Sequence, residues 1–205
     1  MHKKDAESWK ITVSSDLSLN FAIYTGCIYG LIDDGSLSGE NKLWPPKTWS
    51  NKLFESSIII LKEQWSQWFN NIIRDRGEKV ISKQRFDLKN DMFNPPDFSG
   101  FSFLELKDCC KNAWKPFIEW WYMVGGGNNA LSHFETFGNE KLYEYINDYE
   151  NTVQRKVKPF NLYIDTVYAG VNEIIEVNSE YMIIVPVKPL NFNKEWWMKR
   201  LALIG

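Results

Sequence analysis

The stretch Phe160-Asn161-Leu162-Tyr163-Ile164-Asp165-Thr166 decides the fold class. Phe160, Leu162, Ile164 and Thr166 alternate with Asn161, Tyr163 and Asp165, the period of a strand with one inward face. Two β-rich runs follow, Ile174-Ile175-Glu176-Val177 and Tyr181 to Val187, set apart by Gly170 and by Asn178-Ser179. Together the three runs read as an antiparallel meander. Pro186 makes the third run an edge or ends it, since proline cannot donate to a ladder. Trp9, Ile11 and Val13 alternate with polar neighbours near the N-terminus and are expected to join that sheet.

Upstream of Lys156 the apolar period changes to that of a helix. Phe54, Ile58, Leu61, Trp65, Trp68 and Ile72 are spaced alternately by four and three, a single stripe that faces a core. Arg74-Asp75-Arg76-Gly77 is read as the end of that helix. From Arg74 to Lys89 basic residues outnumber acidic ones with only Phe86 interleaved, which reads as a solvated connection rather than a nucleic-acid surface. An earlier helix starts at a Ser15 or Asp16 cap and runs to about Ile32. Phe103 to Val124 is helical but contains Pro116. A proline ring inside a helix clashes with the carbonyl four residues back at a cost of ~3 kcal/mol. A break near Lys115 is therefore expected, with Pro116 opening a new helix. Gly125-Gly126-Gly127-Asn128-Asn129 reads as an unconstrained turn. A further helix spans Asn139 to Val153, with Leu142, Ile146, Tyr149 and Val153 inward, and Lys194 to Ile204 forms a short docking segment.

The expected architecture is α+β: a mainly helical body of four or five helices over about 15–154, and a small C-terminal antiparallel β-meander over about 156–188. The docking segment covers 194–205, and residues 1–205 form one domain. The expected core is Phe21, Ile28, Phe54, Ile58, Leu61, Trp65, Trp68, Ile72, Phe117, Trp121, Ile146, Leu162, Ile164, Ile175 and Ile183. Size and composition agree with a folded chain. Leu, Ile, Val and Phe make up 57 of 205 residues, above the ~20% below which chains stay disordered.

Lys plus Arg number 24 against 26 Asp plus Glu, a net charge of −2, which argues against a dominant polybasic affinity for nucleic acid or membrane. No apolar run approaches the ~18–20 residues of a bilayer span. Met1-His2-Lys3-Lys4 is not followed by the apolar region of a secretory signal. A cytoplasmic location is expected, with Cys27 and the vicinal Cys109 and Cys110 as reduced, core-type thiols. Abundant Asn and Lys with scarce Ala match the bias of an AT-rich bacterial or phage genome.

Catalytic patterns are weak. There are two histidines, His2 and His133. His133-Phe134-Glu135 matches half of a zinc-deaminase pattern whose cysteine half is absent. Cys110 with His133 is the one thinkable nucleophile–base pair. Gly35-Ser36-Leu37-Ser38-Gly39 places neither serine at the centre of a nucleophile elbow. The carboxylate pairs Asp33-Asp34, Asp91 with Asp97, and Glu173 with Glu176 have no supporting motif. The reading leans away from an enzyme, with no cofactor and no metal site.

One constellation carries a functional expectation. Glu140, Glu144 and Asp148 step by four along one helical face, and like charges at that spacing oppose helix formation unless a basic partner relieves them. Tyr143 and Tyr145 flank the stripe, and tyrosine is an enriched interface anchor. The expected function is that of a non-catalytic protein-binding protein, such as an immunity, antitoxin or phage-encoded inhibitor that masks a basic partner through Glu140, Tyr143, Glu144, Tyr145 and Asp148. Two alternatives stand beside it: an enzyme using dispersed carboxylates, and a self-associating structural or assembly protein.

Overall fold

A computed structural model of the chain describes residues 9–32, 55–83, 93–132, 139–168, 174–185 and 193–205. The elements run β1 (Lys10–Ser14), α1 (Leu17–Tyr29), α2 (Glu55–Ile81), α3 (Leu104–Tyr122), α4 (Gly127–Ser132), α5 (Asn139–Val153), β2 (Asn161–Thr166), β3 (Ile175–Asn178), β4 (Tyr181–Ile184) and α6 (Lys194–Ile204). The fold class is α+β, a mainly helical body with a four-stranded sheet.

The strand order is β1-β2-β4-β3. β3 and β4 pair antiparallel as the sequence suggested, and β1 joins the sheet. The meander reading does not extend to β2. It lies parallel to both β1 and β4, with Ile11 opposite Leu162 and Ile164 opposite Met182. Burial supplies the reason. Tyr181-Met182-Ile183-Ile184 is buried on both faces and takes an interior place, whereas β3 carries Glu176 and lies at the edge. β4 therefore ends before Pro186 and is not an edge strand.

Helices cover both faces. Tyr181 and Ile183 join a core with α1, α2, α3 and α4, while Leu162, Ile164, Met182 and Ile184 join a second core with α5 and α6. Of the expected core, Ile58 and Ile175 are only partly buried, and Phe54 lies outside the described residues.

Four helices differ from the sequence reading, one of them α4, which begins at Gly127 inside the segment read as an unconstrained turn. Asp16 caps α1, its carboxylate accepting from the Leu19 N–H at 2.8 Å. The helix stops at Tyr29, short of Ile32, because Gly30 adopts φ 64° and donates to the Cys27 carbonyl. α2 passes through Gly77 to Ile81. A Cβ at Gly77 would lie 2.9 Å from Val177, so this glycine admits β3 against the helix rather than ending it. α3 is continuous across Pro116. The proline and Asn112, whose carbonyl loses its partner, are both exposed, so the break in the ladder falls on the solvent side of the helix. Ala113, Phe117 and Trp121 hold both halves of the helix on the core.

The glycine turn after α3 is tightly constrained. A Cβ at Gly126 would overlap the Trp120 carbonyl oxygen, whereas one at Gly125 (φ 78°) would meet nothing within 4 Å. Gly126→Ala is expected to destabilise the fold by about 1–3 kcal/mol through overpacking, measured as a lower urea midpoint. An unchanged midpoint would mean that this turn does not hold α4 in place.

Candidate functional site

A buried charged network lies where β1, α1, α2, β2 and β4 converge. Arg76 of α2 sits in its middle. Its Nε donates to Asp165 Oδ2 at 2.5 Å and its Nη2 to Asp165 Oδ1 at 2.8 Å, a two-pronged pair. Its Nη1 donates to Asp16 Oδ2 at 2.7 Å. Tyr181 donates its hydroxyl to Asp165 Oδ2 at 2.7 Å, and Ser14 donates to Asp165 Oδ1 at 2.8 Å. Burial works against the Arg76 charge, and Asp165 and Asp16 together outweigh it, so the guanidinium is held charged beyond its ordinary range. Burial, reinforced by Asp165, pushes the Tyr181 phenol well up and keeps it a donor.

The chemistry of this centre is positional. Asp165 accepts four hydrogen bonds on two oxygens, which uses the whole acceptor capacity of a carboxylate. It ties the ends of β1 and β2 to α2 and to the N-terminus of α1. Sequence reasoning missed both partners. The sequence pattern places Arg76 at a helix end and in a solvated connection, and Asp165 on the outward face of a strand. The available signal was slight, an aspartate at an alternating position of a strand, which a sheet covered on both faces turns into a demand for a cation.

The five residues singled out in α5 are separated by the fold. Asp148 is taken by α6: Lys194 Nζ lies 2.6 Å from its Oδ2. Tyr145 is partly buried against the second core. Tyr143 is 67% exposed and meets the Trp9 ring edge-on at 5.1 Å, with Trp9 in turn stacked on Phe160. Glu144 is exposed and has no ion pair among the described residues. Glu140 belongs to α5, but its side chain lies outside the described residues. The acidic ladder thus narrows, because one rung is neutralised by α6, and Trp9 with Tyr143 forms an aromatic ridge beside it.

The thiols are core groups. Cys27, Cys109 and Cys110 are free and buried. Burial pushes Cys27 up to about 12 and Cys109 up to about 11, the latter helped by Asp108, and it raises Cys110 well above the ordinary thiol range. Reactive cysteines show the opposite shift. His133, Ser36, Asp33, Asp34, Asp91 and Glu173 lie outside the described residues. Among those described, no cluster of three metal-ligating side chains occurs. Glu176 approaches Arg200 at 3.4 Å.

A scan against protein-family models gives no match, and searches of curated proteins and of solved structures give none either. No helix among the described residues is long and apolar enough to cross a membrane.

Proposed function

We propose that the chain is a non-catalytic protein-binding protein of the inhibitor type, such as an immunity or antitoxin protein. Its contact surface centres on Tyr143 and Glu144 of α5, and it acts in the cytoplasm. One observation supports this reading above the others. Tyr143 is exposed over two-thirds of its surface and braced by Trp9, next to a glutamate that no described residue neutralises. A braced aromatic beside an unpaired charge is the composition of an energetic anchor. Glu144 favours a basic partner, whose approach its field would accelerate.

The test begins with capture of the partner by the full chain and measurement of its affinity. Tyr143→Ala and Glu144→Lys are each expected to weaken binding by about 10- to 100-fold, the range of a hot-spot loss. Added salt is expected to slow association. Lys115→Glu, on the far exposed face of α3, is expected to change nothing. Asp148 is a poor probe, since reversing it breaks its pair with Lys194. Unchanged affinity in both α5 variants would refute the proposed contact surface.

A further inference from the structure

We infer that the outer edge of β1 is a pairing surface for a second copy of this chain. In a parallel ladder each residue turns both main-chain groups toward the same side. Lys10 donates its N–H to the Phe160 carbonyl at 2.8 Å, so Lys10, Thr12 and Ser14 are bonded toward β2. The N–H and C=O groups of Ile11 and Val13 therefore point away from the sheet, where no described strand lies. The two sheet edges are built differently. β3 is interrupted by a bulge at Glu176/Asn178, packs against Gly77 through Val177, and has the Asn178 and Ser179 carbonyls covered by the Arg200 guanidinium. β1 has no bulge and no proline, and Ile11, Thr12 and Val13 are only partly buried. Open edges of this kind are templates for another strand.

The sequence of β1 selects its own copy as the occupant. When a second β1 is laid antiparallel so that all five residues pair, Thr12 falls opposite the partner's Thr12. Ile11 then faces the partner's Val13, and Lys10 faces the partner's Ser14. The two Ile–Val pairs are the hydrogen-bonded ones, built from groups that pair with no strand among the described residues, and each exchanges both N–H···O bonds. The pairs are β-branched against β-branched and threonine against threonine, which favours cross-strand packing, and no like charges meet. The twofold arrangement is closed and joins two four-stranded sheets into one. This inference does not rest on the α5 contact surface. It is measured on the purified chain alone, so either idea can fail without the other.

The experiment is sedimentation equilibrium of the full chain over a wide concentration range. The mass is expected to rise from 24.1 kDa toward twice that value. Thr12→Lys and Thr12→Asp are each expected to remain monomeric, because position 12 faces itself, and their equimolar mixture is expected to recover the dimer. Far-ultraviolet circular dichroism controls for folding. Val13→Pro serves as a second variant: it deletes an outward N–H without removing a bond to β2, and it too is expected to stay monomeric. A wild-type chain that is monomeric throughout would overturn the inference. So would a dimer that survives Thr12→Lys and Val13→Pro.

Discussion

Arg76→Leu is expected to lower the unfolding free energy by about 3–5 kcal/mol, the cost of stripping one partner from a buried ion pair. At ~2–4 °C per kcal/mol for a chain of this size, the melting temperature would fall by roughly 6–20 °C. The argument rests on what is left behind. Asp165 is 2% exposed and would keep only Ser14 and Tyr181 as donors. Asp16 would lose its bridge to α2 and retain its capping bond to Leu19. Arg76→Lys is expected to recover part of the loss, since an ammonium restores the charge but not the fork that grips both Asp165 oxygens. Combining Arg76→Leu with Asp165→Leu is expected to cost less than the sum of the single changes, because the second substitution removes the stranded charge. Urea unfolding of the four proteins measures this cycle. Strict additivity, or a loss below about 1 kcal/mol for Arg76→Leu, would show that the centre does not hold the layers together.

Alkaline pH is expected to produce the second large effect. Cys27 and Cys109 hold their protons up to about 12 and about 11 in the folded chain, against 9.0 for a free thiol. Burial also raises the Tyr29 and Tyr181 phenols above their free value of 10.0. The unfolded chain releases these protons first. Their stabilising contribution is therefore fully present below about pH 9 and declines as pH rises toward the folded values. Each group fully deprotonated in the unfolded state adds a slope of about 1.4 kcal/mol per pH unit. Urea midpoints at rising pH from 7.5 to 11 should decline steeply above 9, and Cys27→Ala should remove one group's share of the slope. Thiol alkylation of the native protein at pH 8 should be slow and should accelerate on adding denaturant. A stability that stays flat to pH 11 would contradict the buried-thiol account.

Much of the fold was legible because its signals are local. The alternating four and three spacing of Leu61, Trp65, Trp68 and Ile72 named a buried helix face, and these four residues are buried. Asp16 as a cap was legible from its type and place. The errors arose where a local rule met a tertiary demand. Gly77 looked like a stop and is a contact point for β3. Pro116 looked like a break, but its helix is held on the core from both sides of it. The acidic ladder of α5 was visible as a spacing, but Lys194, 46 positions beyond Asp148, decides which rung is free.

Sequence by itself determined most of the helices and strands and their apolar faces, because periodicity and capping act over a few neighbouring residues, but it read the start of α4 as a turn and ended α2 too early. It could not decide that β2 and β4 lie parallel, that the sheet is covered on both faces, or that Arg76 and Asp165, 89 positions apart, meet. Those outcomes depend on which surfaces exclude water from one another. An aspartate on a strand is harmless facing solvent and requires a cation once a second helical layer covers it, and only packing in three dimensions decides which of the two it becomes.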